Sequence, residues 1–182
     1  ADVVPLDANN RRLVQQGLAR IRTGHARPGI YAILEVGRRP YQNIVAADLG
    51  FIVGPRLNAA GRMDDISLGI ECLLAEDMTH AFALAKRLEE LNVQRKRTEQ
   101  EMKHEALQQL QELPSENLPF GLCLYQADWH QGVTGILASR MKERYHRPTV
   151  VFADAEQGVL KASARSIQGF HIRDALAELN AL

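Results

Sequence analysis

Trp129-His130-Gln131-Gly132-Val133-Thr134-Gly135-Ile136-Leu137-Ala138-Ser139-Arg140 is the stretch on which the reading of this chain turns. A polar, glycine-bearing loop carries a histidine and runs directly into a segment of helical periodicity. Val133, Ile136, Leu137 and Met141 recur on one face, which predicts a helix from Val133 to Tyr145. Such a helix begins with unpaired backbone N–H groups and a partial positive charge, a setting suited to phosphate. Around it, Phe120–Tyr125, Pro148–Phe152 and Val159–Ser163 read as strands. A strand–helix–strand order of this kind predicts a partly parallel sheet, so the fold class is α/β.

The N-terminal part reads differently. Asn9 or Asn10 is placed to cap a helix through residue 22, with Leu13, Val14, Leu18 and Ile21 inward. Pro28 opens a second helix, Asp48 caps one that runs into Gly54-Pro55, and Ser67 caps one with Ile70, Leu73 and Leu74 inward. Asp77 or Thr79 then opens the longest periodic segment, to Leu113. Its two ends are amphipathic, but Asn92–Glu101 holds a single apolar residue, Val93. A helix that is polar all round bridges two bodies, and the missing a/d repeat argues against a coiled coil. Pro114 stops it. The expected divisions are therefore 1–76, a connector helix at 77–114, and 115–182. Phe170–Leu179 closes the chain as a helix with Ile172, Leu176 and Leu179 inward.

Of the 182 residues 46% are hydrophobic, enough for one core or for two small ones. No apolar run is long enough to span a membrane. Cys72 and Cys123 sit in apolar runs and form no CxxC pair, which predicts buried thiols in a reducing compartment and no zinc site. The net charge of zero is an average of unlike parts. Residues 1–62 hold nine arginines, no lysine and four acids, whereas residues 63–118 hold six bases and twelve acids. Guanidinium groups pair well with phosphate, although such a surface can equally be solvated.

Three further sets of residues could carry chemistry. Arg56, Asn58 and Arg62 lie among Gly54, Pro55, Ala59, Ala60 and Gly61, so they can donate to phosphate oxygens with room for a strand. Alternatively, the two arginines pair with Asp64 or Asp65 and fix a turn. Ser163, Arg165 and Ser166 fall at a strand end, where alternation puts the Ser163 hydroxyl and the Arg165 guanidinium on one face. A plain solvent-facing edge is the other reading. His130 can act as base, phosphate donor or metal ligand, or be an ordinary loop residue. Trp129 can stack on a base or pack on the following helix. The carboxylate of Asp2 can ligate a metal, but one carboxylate does not clamp a metal pair. No catalytic residue is assigned, and the chain alone is not expected to hydrolyse phosphodiesters.

Taken in order, these segments resemble the RecJ family of single-strand-specific 5′→3′ exonucleases, members of the DHH phosphoesterase superfamily. The resemblance covers essentially the whole chain. Ala1-Asp2-Val3-Val4-Pro5-Leu6 is similar to the end of the catalytic DHH domain, and Gly54–Asp65 to the arginine–asparagine motif that follows. The polar-centred helix is similar to the connector, and His130–Arg140 and Lys161–Ile167 to the first motifs of the DHH-associated domain.

The resemblance implies a helical tail of a DHH catalytic domain, a connector helix and a truncated mixed-sheet DHH-associated domain, that is, an internal fragment. It implies that Asp2 is the last ligand of a manganese or magnesium pair, and that Arg56, Asn58 and Arg62 line the strand's path. It further implies that Ser163 and Arg165, with Ser166 beside them, hold a 5′-terminal phosphate, while His130 and the N–H groups near Gly132 face the substrate channel. The implied setting is DNA repair and recombination by a cytoplasmic monomer. Its partners would be single-stranded DNA, a single-strand-binding protein and a helicase, with no membrane. Close alternatives are a DHH oligonucleotide or cyclic-dinucleotide phosphodiesterase, or a non-catalytic replication scaffold of the same fold. The DYDxDG-like, Asp-His-His and Gly-Gly-His motifs of the family are not in this sequence, and Ala162 and Ala164 stand where the family has glycines.

Overall fold

A computed structural model of the chain describes residues 4–111, 118–155 and 158–179. The chain forms two compact units, Ala1–Arg95 and Lys96–Leu182. Eight α-helices and a three-stranded sheet make up the described residues.

The first unit is helical. Helix α1 (Ala8–Arg22) is capped by Asp7, whose Oδ1 accepts the Asn10 N–H at 2.8 Å, so the cap lies two or three residues earlier than the asparagines promised. Leu18 and Ile21 are buried, whereas Leu13 is exposed. Helix α2 (Pro28–Val36) starts on its proline and buries Ala32, Ile33 and Leu34. After a 3₁₀ turn at Tyr41–Asn43 come α3 (Ala46–Asp48), a π-helical segment (Leu49–Val53) and α4 (Gly54–Met63). Asp48 does start this run, from its third position: its Oδ2 accepts the Val45 N–H at 2.7 Å. Helix α5 (Ser67–Leu74) buries Gly69 and Cys72 instead of Ile70 and Leu74, which are exposed. The physical reason is helix crowding. An added Cβ on Gly29 of α2 would lie 1.9 Å from the Cys72 carbonyl oxygen, so α2 and α5 meet through their smallest residues.

Helix α6 (Met78–Gln111) opens on Asp77, whose Oδ1 accepts the His80 N–H at 2.8 Å. The two units divide within it, between Arg95 and Lys96. Its first half buries Ala81, Ala85, Leu88 and Leu91, and its second half buries Met102, Ala106 and Leu110. The polar middle is not wholly solvated, because Asn92 and Glu99 are buried.

The second unit holds β1 (Leu122–Tyr125), α7 (Gln131–Tyr145), β2 (Thr149–Asp154), β3 (Leu160–Arg165) and α8 (Ile172–Leu179). Strand β1 runs parallel to β2, and β3 antiparallel to it. A parallel pair needs a crossover, and α7 supplies it. One face of the sheet, Leu122, Leu124, Thr149, Val151 and Ala153, is buried, as are Val133, Leu137, Ala138 and Met141 of α7. Cys123 points from the other face and is exposed, so only Cys72 is the buried thiol expected for both. No residue of α8 is buried, in contrast to the inward face expected from Ile172, Leu176 and Leu179. No helix among the described residues is long and apolar enough to cross a membrane.

Candidate nucleic-acid interface

The register of the sheet decides which side chains meet α7. Ser163 pairs with Val151 and Arg165 with Thr149, both inward-facing positions of β2. Because strands alternate, Ser163 and Arg165 share the helix-side face, and Ala162 and Ala164 point to the opposite one. Ala162 and Ala164, at positions where the resemblance implies glycines, therefore add their methyl groups away from the Ser163–Arg165 side.

Thr134, Gly135 and Ser139 of α7 face these strand residues. The Thr134 and Ser163 hydroxyl oxygens are 3.0 Å apart, and the Thr134 hydroxyl donates to the Gln131 carbonyl at 2.8 Å. The Arg165 Nε donates to Ser139 Oγ at 2.9 Å, and Nη1 to the Ala164 carbonyl at 2.8 Å. Ser139 in turn donates to the Gly135 carbonyl at 3.1 Å. A Cβ on Gly135 would come within 3.0 Å of Arg165 Nη2 and 3.4 Å of Ser163 Oγ, so the missing side chain is the space these groups occupy. Two of the five guanidinium N–H donors are used inside the protein, and Arg165 is exposed. A hydroxyl, a guanidinium with spare donors and the first turns of a helix thus lie together.

His130 is the N-cap of α7, in extended conformation, and its Nδ1 accepts the Gly132 N–H at 3.1 Å. A neutral ring bonded in this way carries its proton on Nε2. The Gly132 N–H, read from the sequence as facing a substrate, is thus met by the histidine ring. Trp129 is buried, and its Nε1 donates to Glu105 Oε2 at 2.7 Å, so it packs inside and offers no stacking face. Ser166 departs from its expected place beside Ser163 and Arg165. Its Oγ accepts the Ile172 N–H at 3.1 Å and caps α8, the backbone having left the strand at Arg165.

The arginine–asparagine segment is helical, which separates its members. Arg56 is only 9% exposed. Its Nε lies 2.7 Å from Glu89 Oε2, an ion contact without N–H alignment, and Nη1 donates to the Ile52 carbonyl at 2.7 Å. Glu89 also accepts from Asn92 Nδ2 at 3.3 Å. Arg56 is thus turned inward rather than onto a strand's path, and its partner is neither Asp64 nor Asp65. Ala59 and Ala60 are buried in helix packing, so these small residues do not leave room for a ligand. Asn58 and Arg62, four residues apart on one helix, are both exposed.

Asp2 lies outside the described residues. Among the described residues no group of three or more His, Cys, Asp or Glu is placed to hold a metal ion. The sequence did not single out Thr134, Gly135 or Ser139. The signal was present as small residues at Gly135 and Ser139, one helical turn apart, a spacing that lets a neighbouring strand come close.

Residues 119–182 match the DHHA1 domain model, which places the second unit's sheet and helices in the DHH-associated class. The single-stranded-DNA-specific exonuclease RecJ of Salmonella typhimurium is 58% identical over the whole of this chain, which covers 32% of that protein. A crystal structure of RecJ in complex with Mg²⁺ from Thermus thermophilus superposes with a TM-score of 0.84 at 32% identity, over all of this chain and 27% of that one. A second, in complex with Mn²⁺, also gives 0.84 at 32% identity, covering all of this chain and 26% of that one. Along its whole length the chain is similar to single-stranded-DNA-specific exonucleases named RecJ, and it spans about a third of the length of the curated relatives it matches.

Proposed function

We propose that this chain is the strand-holding part of a metal-dependent, single-stranded-DNA-specific 5′→3′ exonuclease that acts in DNA repair and recombination. The observation that carries the reading is the meeting of Ser163 and Arg165 of β3 with the first turns of α7. Charge-assisted bonds from the guanidinium favour a terminal phosphate, which carries more charge than an internal one, while Ser163, whose proton goes to the Thr134 hydroxyl, fixes the wall of the pocket beside it. His130 offers its Nε2–H at the start of the same helix. Asn58 and Arg62 add exposed donors that contact the strand's backbone, and Arg56 keeps their helix in place. A single strand is gripped mainly through such backbone contacts, so affinity falls steeply with salt.

Manganese or magnesium, with Asp2 among its ligands, would supply an activated water and charge neutralisation at the scissile phosphate. The described residues hold no such ligand group, and their own work is binding and orientation. The likeness to RecJ structures containing Mg²⁺ and Mn²⁺ supports the choice of metal. A single-strand-binding protein and a helicase as partners, and a monomeric cytoplasmic protein, complete the reading.

The test is fluorescence anisotropy of the 182-residue chain with oligodeoxynucleotides bearing a 5′-phosphate or a 5′-hydroxyl, across a salt series. Tighter, salt-sensitive binding of the phosphorylated strand is the expected result. Equal binding of the two ends would remove the phosphate pocket from the proposal, and binding insensitive to salt would remove the backbone contacts as well.

A further inference from the structure

We infer that Gly135 and Ser139 set the preference for a 5′-phosphate by positioning Arg165, although neither residue contacts the phosphate itself. The inference rests on the reading of Ser163 and Arg165 as the phosphate pocket. A free arginine side chain has many rotamers, and holding one geometry for a ligand costs conformational entropy. Here the cost is met before binding. Ser139 Oγ receives the Arg165 Nε–H at 2.9 Å, and the serine is itself fixed by donating to the Gly135 carbonyl at 3.1 Å. The Ala164 carbonyl takes an Nη1 hydrogen at 2.8 Å. These bonds hold the planar fork against α7, with its remaining donors unspent. Gly135 contributes by lacking a side chain, since a methyl there would stand 3.0 Å from Nη2. Thr134 plays the same part for Ser163, through the 3.0 Å hydroxyl contact.

The two α7 residues allow opposite kinds of perturbation. Ser139→Ala removes the acceptor and, as a serine-to-alanine change inside a helix, favours the helix itself. Gly135→Ala also favours the helix, and it displaces only the far end of a flexible arginine. Neither change is therefore expected to unfold the protein. A purely structural role would leave strand-end preference untouched or shift both affinities equally.

The experiment measures the ratio of affinities for 5′-phosphorylated and 5′-hydroxyl oligodeoxynucleotides in wild type, Ser139→Ala, Ser139→Thr, Gly135→Ala and Arg165→Ala. The ratio is expected to fall roughly three- to tenfold in Ser139→Ala, the range of one ordinary net hydrogen bond at a solvent-exposed site. Affinity for the 5′-hydroxyl strand should hold, and Ser139→Thr, which keeps the hydroxyl, should restore most of the ratio. Gly135→Ala should lower the ratio by a similar factor. If Arg165→Ala collapses the ratio while both α7 variants keep it, the positioning role is wrong and the pocket stands. If wild type shows no preference, or Arg165→Ala leaves it unchanged, the pocket reading fails and the positioning role falls with it.

Discussion

Two arginines in this chain sit among small residues, and the fold uses them in opposite ways. In α4 the small neighbours Ala59 and Ala60 are buried, the helices close up, and Arg56 is pressed inward against Glu89 and the Ile52 carbonyl. Around β3 the small residue is Gly135 of the facing helix, and the space it leaves is filled by the guanidinium of Arg165, which stays exposed. Both settings read alike in sequence, as a place where something can come close. What differs is the partner. A carboxylate at 2.7 Å neutralises the first arginine, whereas a neutral hydroxyl and a carbonyl orient the second without cancelling its charge. The first arrangement supports a fold, and the second remains available to an anion.

The largest effect is expected from the close helix packing of the unit that holds Arg56. Gly29→Ala would place a methyl 1.9 Å from the Cys72 carbonyl oxygen, which is backbone and cannot turn aside. Separation of α2 from α5 is expected, with a loss of about 3 kcal/mol in urea unfolding of the chain. An unchanged midpoint would mean that the close packing ascribed to these helices is not needed. Next in size is Glu89→Ala, which leaves the Arg56 guanidinium without its counter-charge. Glu89 is 30% exposed, so water can partly replace it, and the cost is about 2 kcal/mol, less than for a fully buried pair. Arg165→Ala is the contrasting case. Its stability should change by less than about 0.5 kcal/mol, as for an ordinary exposed side chain. A large loss of stability there, or none in Glu89→Ala, would erase the distinction between the two arginines.

The cysteines offer a parallel contrast at the level of a single thiol. Burial pushes the Cys72 thiol up to about 11, and its Sγ donates to the Ala81 carbonyl at 3.7 Å. Cys123 is exposed on the open face of the sheet. Under native conditions at pH 8 a maleimide should therefore modify Cys123 quickly and spare Cys72, because only the accessible thiolate reacts. Mass spectrometry of the labelled peptides reads the outcome, and equal labelling would contradict the packing around Cys72.

Much of the architecture was legible because periodicity carries it. The alternation in β3 puts Ser163 and Arg165 on one face, and the 3.6-residue pattern marks α6 and α7 in the sequence itself. What sequence could not carry was the identity of partners across elements. Nothing near Arg56 points to Glu89 on another helix, and the acids nearest in sequence, Asp64 and Asp65, were the natural guess. Ser166 follows Arg165 directly, yet the chain turns there and its hydroxyl serves the next helix. Gly135 and Ser139 carry no signal of their own for the same reason, since a small helical residue acquires meaning only from what packs against it. Apolar periodicity also overstated burial in α5 and α8. It says which side chains share a face and not whether another element covers them.

The smallest expected effect concerns Asp48, a carboxylate whose arginine partner is held without deep burial. The Val45 N–H donated to it at 2.7 Å holds its pKa below the ordinary value, against a smaller opposing effect of burial, and Arg39 at 3.0 Å lowers it further. A carboxyl with a depressed folded-state pKa binds its proton less readily when folded than when unfolded. Its contribution is therefore complete above about pH 4 and is lost as pH falls through the lowered value. Asp48→Asn keeps an acceptor for Val45 but removes the charge facing Arg39. The variant should be slightly less stable than wild type at pH 7, with a narrower gap at pH 2. Urea midpoints for both proteins at the two pH values test this. A gap that persists undiminished in acid would assign the effect to side-chain geometry rather than charge, and would make Asp48 a cap in the manner of Asp7 rather than a partner of Arg39.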